Sequence, residues 1–136
     1  LNSQPIIEGT YLTLIRIKSL RFAQNYKINI MIKEVNVQEL KSMMDNGEDF
    51  QLIDVREPYE ADIAAIGGIL IPMGEVPTKV DMFARDKKVV VHCRSGARSG
   101  NVVQYLQDTE GMDNLYNLAG GILAWSREID PSIPQY

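Results

Sequence analysis

Cysteine and histidine are what this chain has least of: its 136 residues contain one of each, and they are neighbours, His92 and Cys93. A lone cysteine excludes an intramolecular disulfide, and one histidine beside it is too small a donor set for a typical zinc site. No metal and no other cofactor is expected. Long hydrophobic runs are also absent. Nothing approaches the ~20 apolar residues needed to span a bilayer, so no membrane contact is expected. The first residues lack a charged stretch followed by an apolar core and a small-residue cleavage site, so secretion is unsupported and the cytoplasm is the expected compartment. Positive charge is in deficit, and the net charge of −4 argues against general nucleic-acid binding.

What is present is the composition of an ordinary soluble domain, 45% hydrophobic and 24% charged, in a length that suits one domain with a full core. The charge is unevenly spread. Residues 1–30 carry Arg16, Lys18, Arg21 and Lys27 against Glu8 alone, so the deficit lies entirely in the rest. This shift near Met31 marks the one plausible boundary, giving an N-terminal extension of unknown role (1–30) and a domain (31–136). Within the extension, Tyr11–Ile17 has strand character and Ser19–Tyr26 could turn helically.

Beyond Met31 the pattern sharpens. Ile32–Val35 suits a short strand, and Asn36 with Glu39 forms a capping-box pattern opening a helix through Val37, Leu40, Met43 and Met44. Asn46-Gly47 stops that helix. Phe50–Val55 reads as a second strand, nearly continuously apolar, as a parallel strand covered on both faces would be. Pro58–Ala61 predicts a helical turn, Ile69–Ile71 a third strand, Glu75–Phe83 a helix with Pro77 in its first turn, and Val89–Val91 a fourth strand. A helix from Ser99 to about Thr109 follows, then a strand at Asn114–Leu118. Gly120-Gly121 leads into a last helix with Ile122, Leu123 and Trp125 as apolar anchors. Alternating strands and helices in this order predict an α/β fold: a central parallel sheet of about five strands, helices on both faces.

The chemistry concentrates in Val89-Val90-Val91-His92-Cys93-Arg94-Ser95-Gly96-Ala97-Arg98-Ser99-Gly100. It reads as a strand, a loop curling around the Cys93 sulfur, and a helix opening at Ser99. Backbone N–H groups and the positive helix end converge at such a turn. With Arg94 and Arg98 beside it, the thiol is expected to ionise below the ~8.5 of a free cysteine. An inert buried thiol is the competing structural reading. His92 should point away from Cys93 by strand alternation and is expected to be structural. Asp54 and Arg56 sit at the C-terminal edge of the second strand, where open α/β sheets bind ligands. They read either as a salt bridge locking the loop or as substrate contacts, and the two roles are compatible.

Four motifs in order resemble the rhodanese domain, the single-cysteine sulfurtransferase fold: Leu52–Glu57, Gly67–Pro72, Val91–Ser99 and Leu118–Trp125. The resemblance runs from about Ile32 to Tyr136. Its closing stretch, Gly120 to Tyr136, is most similar to the rhodanese domain at the C-terminus of adenylyltransferases that activate sulfur-carrier proteins. A free-standing relative beginning near Met31 is the expectation over a fragment of such a fusion. The resemblance implies that Cys93 takes sulfane sulfur from a donor such as thiosulfate as a persulfide. It then passes that sulfur to a thiophilic acceptor: cyanide, a thiol, or a sulfur-carrier protein, with an adenylyltransferase as a further candidate partner. Residues Arg94, Ser95, Gly96, Ala97, Arg98 and Ser99 would form the substrate-binding loop, with Arg98 the expected direct contact. A cysteine phosphatase of the same fold is one alternative, but four residues separate Cys93 from Arg98 where the phosphatase loop has five. A non-catalytic binding module is the other, although such modules usually lack the cysteine.

Overall fold

A computed structural model of the chain describes residues 31–136; the strand and helical turn expected at 11–17 and 19–26 lie outside them. Five strands, β1 (Glu34–Val35), β2 (Phe50–Asp54), β3 (Ile69–Leu70), β4 (Lys88–His92) and β5 (Leu115–Leu118), form one sheet. Its order is β1-β5-β4-β2-β3, and every neighbouring pair is parallel. The α-helices are α1 (Val37–Asp45), α2 (Pro58–Ile63), α3 (Ala97–Glu110) and α4 (Gly121–Glu128). This is the α/β architecture that the alternation of patterns predicts.

Strand β4 shows why both faces need cover. Val89 and Val91 join one core with Ile53, Val102, Val103 and Leu106, while Val90 joins the other with Leu40, Leu52, Leu118 and Trp125. Successive side chains on a strand point to opposite faces, so a run of three valines has no solvent side. Each contributes roughly 1.5–3 kcal/mol when fully buried. Helix α3 therefore covers one face, and α1 with α4 the other. The start of α1 follows its sequence signal. Asn36 Oδ1 accepts from the Glu39 N–H at 2.8 Å, and the Glu39 carboxylate accepts from the Asn36 N–H at 2.8 Å.

Two local expectations are corrected. The helix expected over 75–83 is instead a pair of 3-10 turns, Met73–Thr78 and Val80–Met82. Pro77 falls inside the first and has no N–H for an α-helical bond. The tighter i to i+3 pattern takes over, as in Glu75 N–H to the Pro72 carbonyl at 2.8 Å and Lys79 N–H to the Val76 carbonyl at 3.0 Å. The helix expected to open at Ser99 opens two residues earlier, at Ala97, after Gly96 in the left-handed region at φ 102°. Ser99 thus lies inside the first turn, and its hydroxyl is spent on the site.

Candidate active site

The site sits where the central strands β2 and β4 end together. Val55 N–H donates to the His92 carbonyl at 3.0 Å, holding the two exits side by side. Immediately beyond, Cys93 takes the same face as Val89 and Val91 and is 1% exposed. The loop then curls around its sulfur. The Gly96 N–H lies 3.1 Å from Sγ and the Ser99 hydroxyl 3.3 Å. Burial pushes the Cys93 thiol up, but the Ser99 hydroxyl and the N–H groups of Ser99, Gly96 and Ser95 outweigh it, leaving the thiol below its ordinary value. Hydrogen-bond donors of the loop and the first turn of α3 therefore lead in stabilising the thiolate.

A buried network holds that turn. The Ser99 hydroxyl lies 2.6 Å from Asn117 Oδ1 on β5, and Asn117 Nδ2 donates to the Gly96 carbonyl at 3.1 Å and to Glu34 Oε2 at 3.0 Å. The hydroxyl has one proton, so Sγ and Asn117 Oδ1 compete for it. From the other side, the Ile122 N–H donates to the Cys93 carbonyl at 3.0 Å and the Leu123 N–H to the Arg94 carbonyl at 3.1 Å. These are the orphan donors at the start of α4. Such close docking requires Gly121: a Cβ there would lie 2.4 Å from the Arg94 oxygen, and the backbone is left-handed at φ 59°.

Charge around the loop is arranged in pairs. Arg56 is fully buried, and Nε and Nη2 grip the Asp54 carboxylate at 2.9 and 2.7 Å. Its other donors reach the carbonyls of Ala64 (2.7 Å) and Glu60 (3.3 Å) and the Tyr136 hydroxyl (2.7 Å). All five N–H groups of a guanidinium are thus used, and none faces a ligand. Of the two readings of Asp54 and Arg56, this geometry favours the loop lock. Arg98 is held bidentate by Glu60, with both N–O distances 2.7 Å. That pairing holds the Glu60 carboxyl at about 2 and raises Arg98 further above its usual value. Arg94 differs. Its Nε donates to the Tyr136 backbone oxygen, its guanidinium lies 5.3 Å from the Tyr136 ring centroid, and its terminal nitrogens make no hydrogen bond among the described residues.

His92 is fully buried on the opposite face from Cys93, with Asp54 Oδ2 3.8 Å away. Burial holds the imidazole below its usual value and so neutral. Of loop residues 94–99, Ser95, Gly96 and Ser99 direct donors at the sulfur, while the side chains of Arg94 and Arg98 bond Tyr136 and Glu60. Glu60, Asn117 and Tyr136 were missed. They lie 38, 18 and 42 residues from their partners Arg98, Ser99 and Arg94 in the chain, and no local pattern reaches that far. Among the described residues, no cluster of three or more metal-ligating side chains is present, and no helix is long and apolar enough to cross a membrane.

The parallel sheet thus carries the cysteine loop at the ends of its central strands. The Rhodanese-like domain profile matches residues 36–128, and the chain belongs to the rhodanese-like domain family. It is 41% identical over 101 residues to the putative sulfurtransferase YtwF of Bacillus subtilis, covering 74% of this chain and 96% of that one. Against longer relatives it spans much less. It matches 38% of a chloroplastic rhodanese-like/PpiC domain-containing protein of Arabidopsis thaliana at 38% identity. It matches 26% of the probable adenylyltransferase/sulfurtransferase MoeZ of Mycobacterium tuberculosis at 32% identity, over 75% of this chain. A solved rhodanese-related protein from Thermoplasma volcanium superposes with TM-score 0.64 at 31% identity, covering 76% of this chain and 99% of that one.

Proposed function

We propose that the protein is a sulfurtransferase carrying sulfane sulfur on Cys93. One observation carries the reading: a buried sulfur ringed by the Gly96 N–H and the Ser99 hydroxyl, with the thiol held below its ordinary value. The Cys93 thiolate attacks the outer sulfur of thiosulfate, a new S–S bond forms, and sulfite leaves with the electron pair of the broken bond. A nucleophilic acceptor then attacks the outer sulfur of the persulfide, and the Cys93 thiolate is the leaving group. The loop N–H groups that stabilise the thiolate also serve the persulfide anion. Arg94, whose terminal nitrogens are unpaired among the described residues, is the guanidinium assigned to the anionic donor, in place of Arg98. Asp54 and Arg56 support the loop, and residues 31–136 are taken as the working unit.

The relatives support this reading and widen it. One is named a putative sulfurtransferase over nearly its whole length. Another name couples adenylyltransferase with sulfurtransferase, which supports a sulfur-carrier protein or an adenylyltransferase as the physiological acceptor class. Against the phosphatase alternative stands Arg98. Its bidentate bond to Glu60 leaves it poorly placed to grip a tetrahedral phosphate, and the loop is one residue short.

The test is mass spectrometry of protein treated with thiosulfate. Cys93 is expected to gain one sulfur atom, about 32 Da, which cyanide removes; Cys93→Ser should gain none. No adduct on the wild-type protein would favour a binding module. Aryl-phosphate hydrolysis through Cys93 faster than sulfur transfer to cyanide would make it a phosphatase.

A further inference from the structure

The stretch after α4 folds back onto the site. Its path is fixed by the Ser126 hydroxyl donating to the Ile133 carbonyl at 2.6 Å and by Ile129 and Ile133 packing on the second core. It delivers Tyr136 to the junction of three charged side chains. The hydroxyl accepts from Arg56 Nη1 at 2.7 Å and donates to Glu60 Oε1 at 3.1 Å. The ring lies against Arg94, whose Nε bonds the Tyr136 backbone oxygen.

These contacts use Arg94 selectively. A guanidinium has one N–H on Nε and two on each terminal nitrogen. The tyrosine takes Nε and one face, and the forked end that matches an oxyanion stays unpaired among the described residues. Elsewhere around the loop the guanidinium groups are committed: Arg56 to Asp54, Arg98 to Glu60. A long, exposed arginine side chain otherwise loses considerable rotamer freedom when it grips a ligand, and a partner that holds it beforehand lowers that cost.

We propose that Tyr136 is a positioning residue that holds Arg94 with its forked end presented to an anionic substrate of Cys93. This rests on the reading of Cys93 as the reacting nucleophile, and it adds a residue that sets preference for anionic over neutral reagents.

The test uses the full chain and two alkylating reagents of similar size, iodoacetate and iodoacetamide. Cys93 is the only cysteine, so both report one sulfur, and its ionised fraction cancels in the ratio of their rates. Tyr136→Leu is expected to lower the iodoacetate-to-iodoacetamide ratio about two- to fivefold, the range of an exposed cation–π contact. The iodoacetamide rate should stay close to wild type, and the thermal midpoint should fall by a similar amount in Tyr136→Leu and Tyr136→Phe, because both remove the hydroxyl partner of Arg56 Nη1. Tyr136→Phe, which keeps the ring, should restore the ratio. In an Arg94→Ala background, Tyr136→Leu should change nothing further. A wild-type ratio in Tyr136→Leu would overturn the proposal, as would an equal fall with Arg94 already removed. In sulfur transfer, Tyr136→Leu should lower kcat/KM for thiosulfate by the same factor. Wild-type protein showing the reagent preference yet taking no sulfur from thiosulfate would support the role of Tyr136 and overturn sulfur transfer alone.

Discussion

The thiol of Cys93 depends on small neutral donors more than on the arginines around it, and this directs the choice of substitution. Ser99→Ala removes a donor within 3.3 Å of Sγ. The thiol pKa should rise, because the hydroxyl is the leading donor that holds it down. Iodoacetamide reactivity measured against pH would show the midpoint move upward. The same change leaves Asn117 Oδ1 without its 2.6 Å partner and should cost about 1–3 kcal/mol of stability. Arg98→Ala has a different signature. It strands the buried Glu60 carboxylate, and urea unfolding should show a loss of about 3 kcal/mol, at the low end for a broken buried pair because Arg98 is about one-third exposed. A rate loss with unchanged stability would instead mark Arg98 as a substrate contact. Cys93, Arg94 and Arg98 were all legible in the sequence because chain neighbours cannot be far apart. Which arginine is already paired was not, since Glu60 lies on another element.

Elements meet at this site through backbone, and one glycine decides whether they fit. At Gly121 an added Cβ would sit 2.4 Å from the Arg94 oxygen and 2.7 Å from the Cys93 oxygen. Gly121→Ala must displace the start of α4 or the cysteine loop. Gly111, at the end of α3, has a similar φ of 62° with nothing within 4 Å of its Cβ position. Gly111→Ala should cost only the left-handed penalty, about 1–2 kcal/mol. Thermal melts should therefore place Gly121→Ala well below Gly111→Ala, with reactivity of Cys93 disturbed only in the former. Equal melting points would mean that the contact between α4 and the loop is easily relaxed. The elements themselves were largely readable, since capping and apolar periodicity act within a few residues. The 3-10 turns at Met73–Met82 were not, because apolar spacing alone does not show how Pro77 tightens the backbone.

At the scale of the molecule, acid stability carries the signature of the site. Glu60 is held at about 2, chiefly by the Arg98 hydrogen bonds, against an ordinary value of 4.5 in the unfolded chain. A carboxyl lowered on folding stabilises the protein fully above the unfolded value, and that contribution is lost as pH falls toward the folded one. Here the window is pH 4.5 down to 2, and the contribution is on the order of 3 kcal/mol. Urea midpoints measured across that window should fall for the wild type and more gently for Glu60→Gln, which should start lower at pH 7. Parallel curves would show that other carboxylates govern acid unfolding.

Sequence by itself determined what depends on neighbours along the chain. It specified the parallel α/β class through apolar runs with no solvent face, and the anion-stabilising cysteine loop between β4 and α3. Tertiary structure alone decided the strand order, which sets β4 between β2 and β5 and so brings Asn117 under Ser99. It also decided the pairing of Arg98 with Glu60 and the placing of Tyr136 against Arg94. Those contacts join residues 18 to 42 positions apart, where only the packed core fixes distance. The cysteine loop was therefore visible in the chain, and which of its guanidinium groups keeps unpaired terminal nitrogens among the described residues became visible only in the fold.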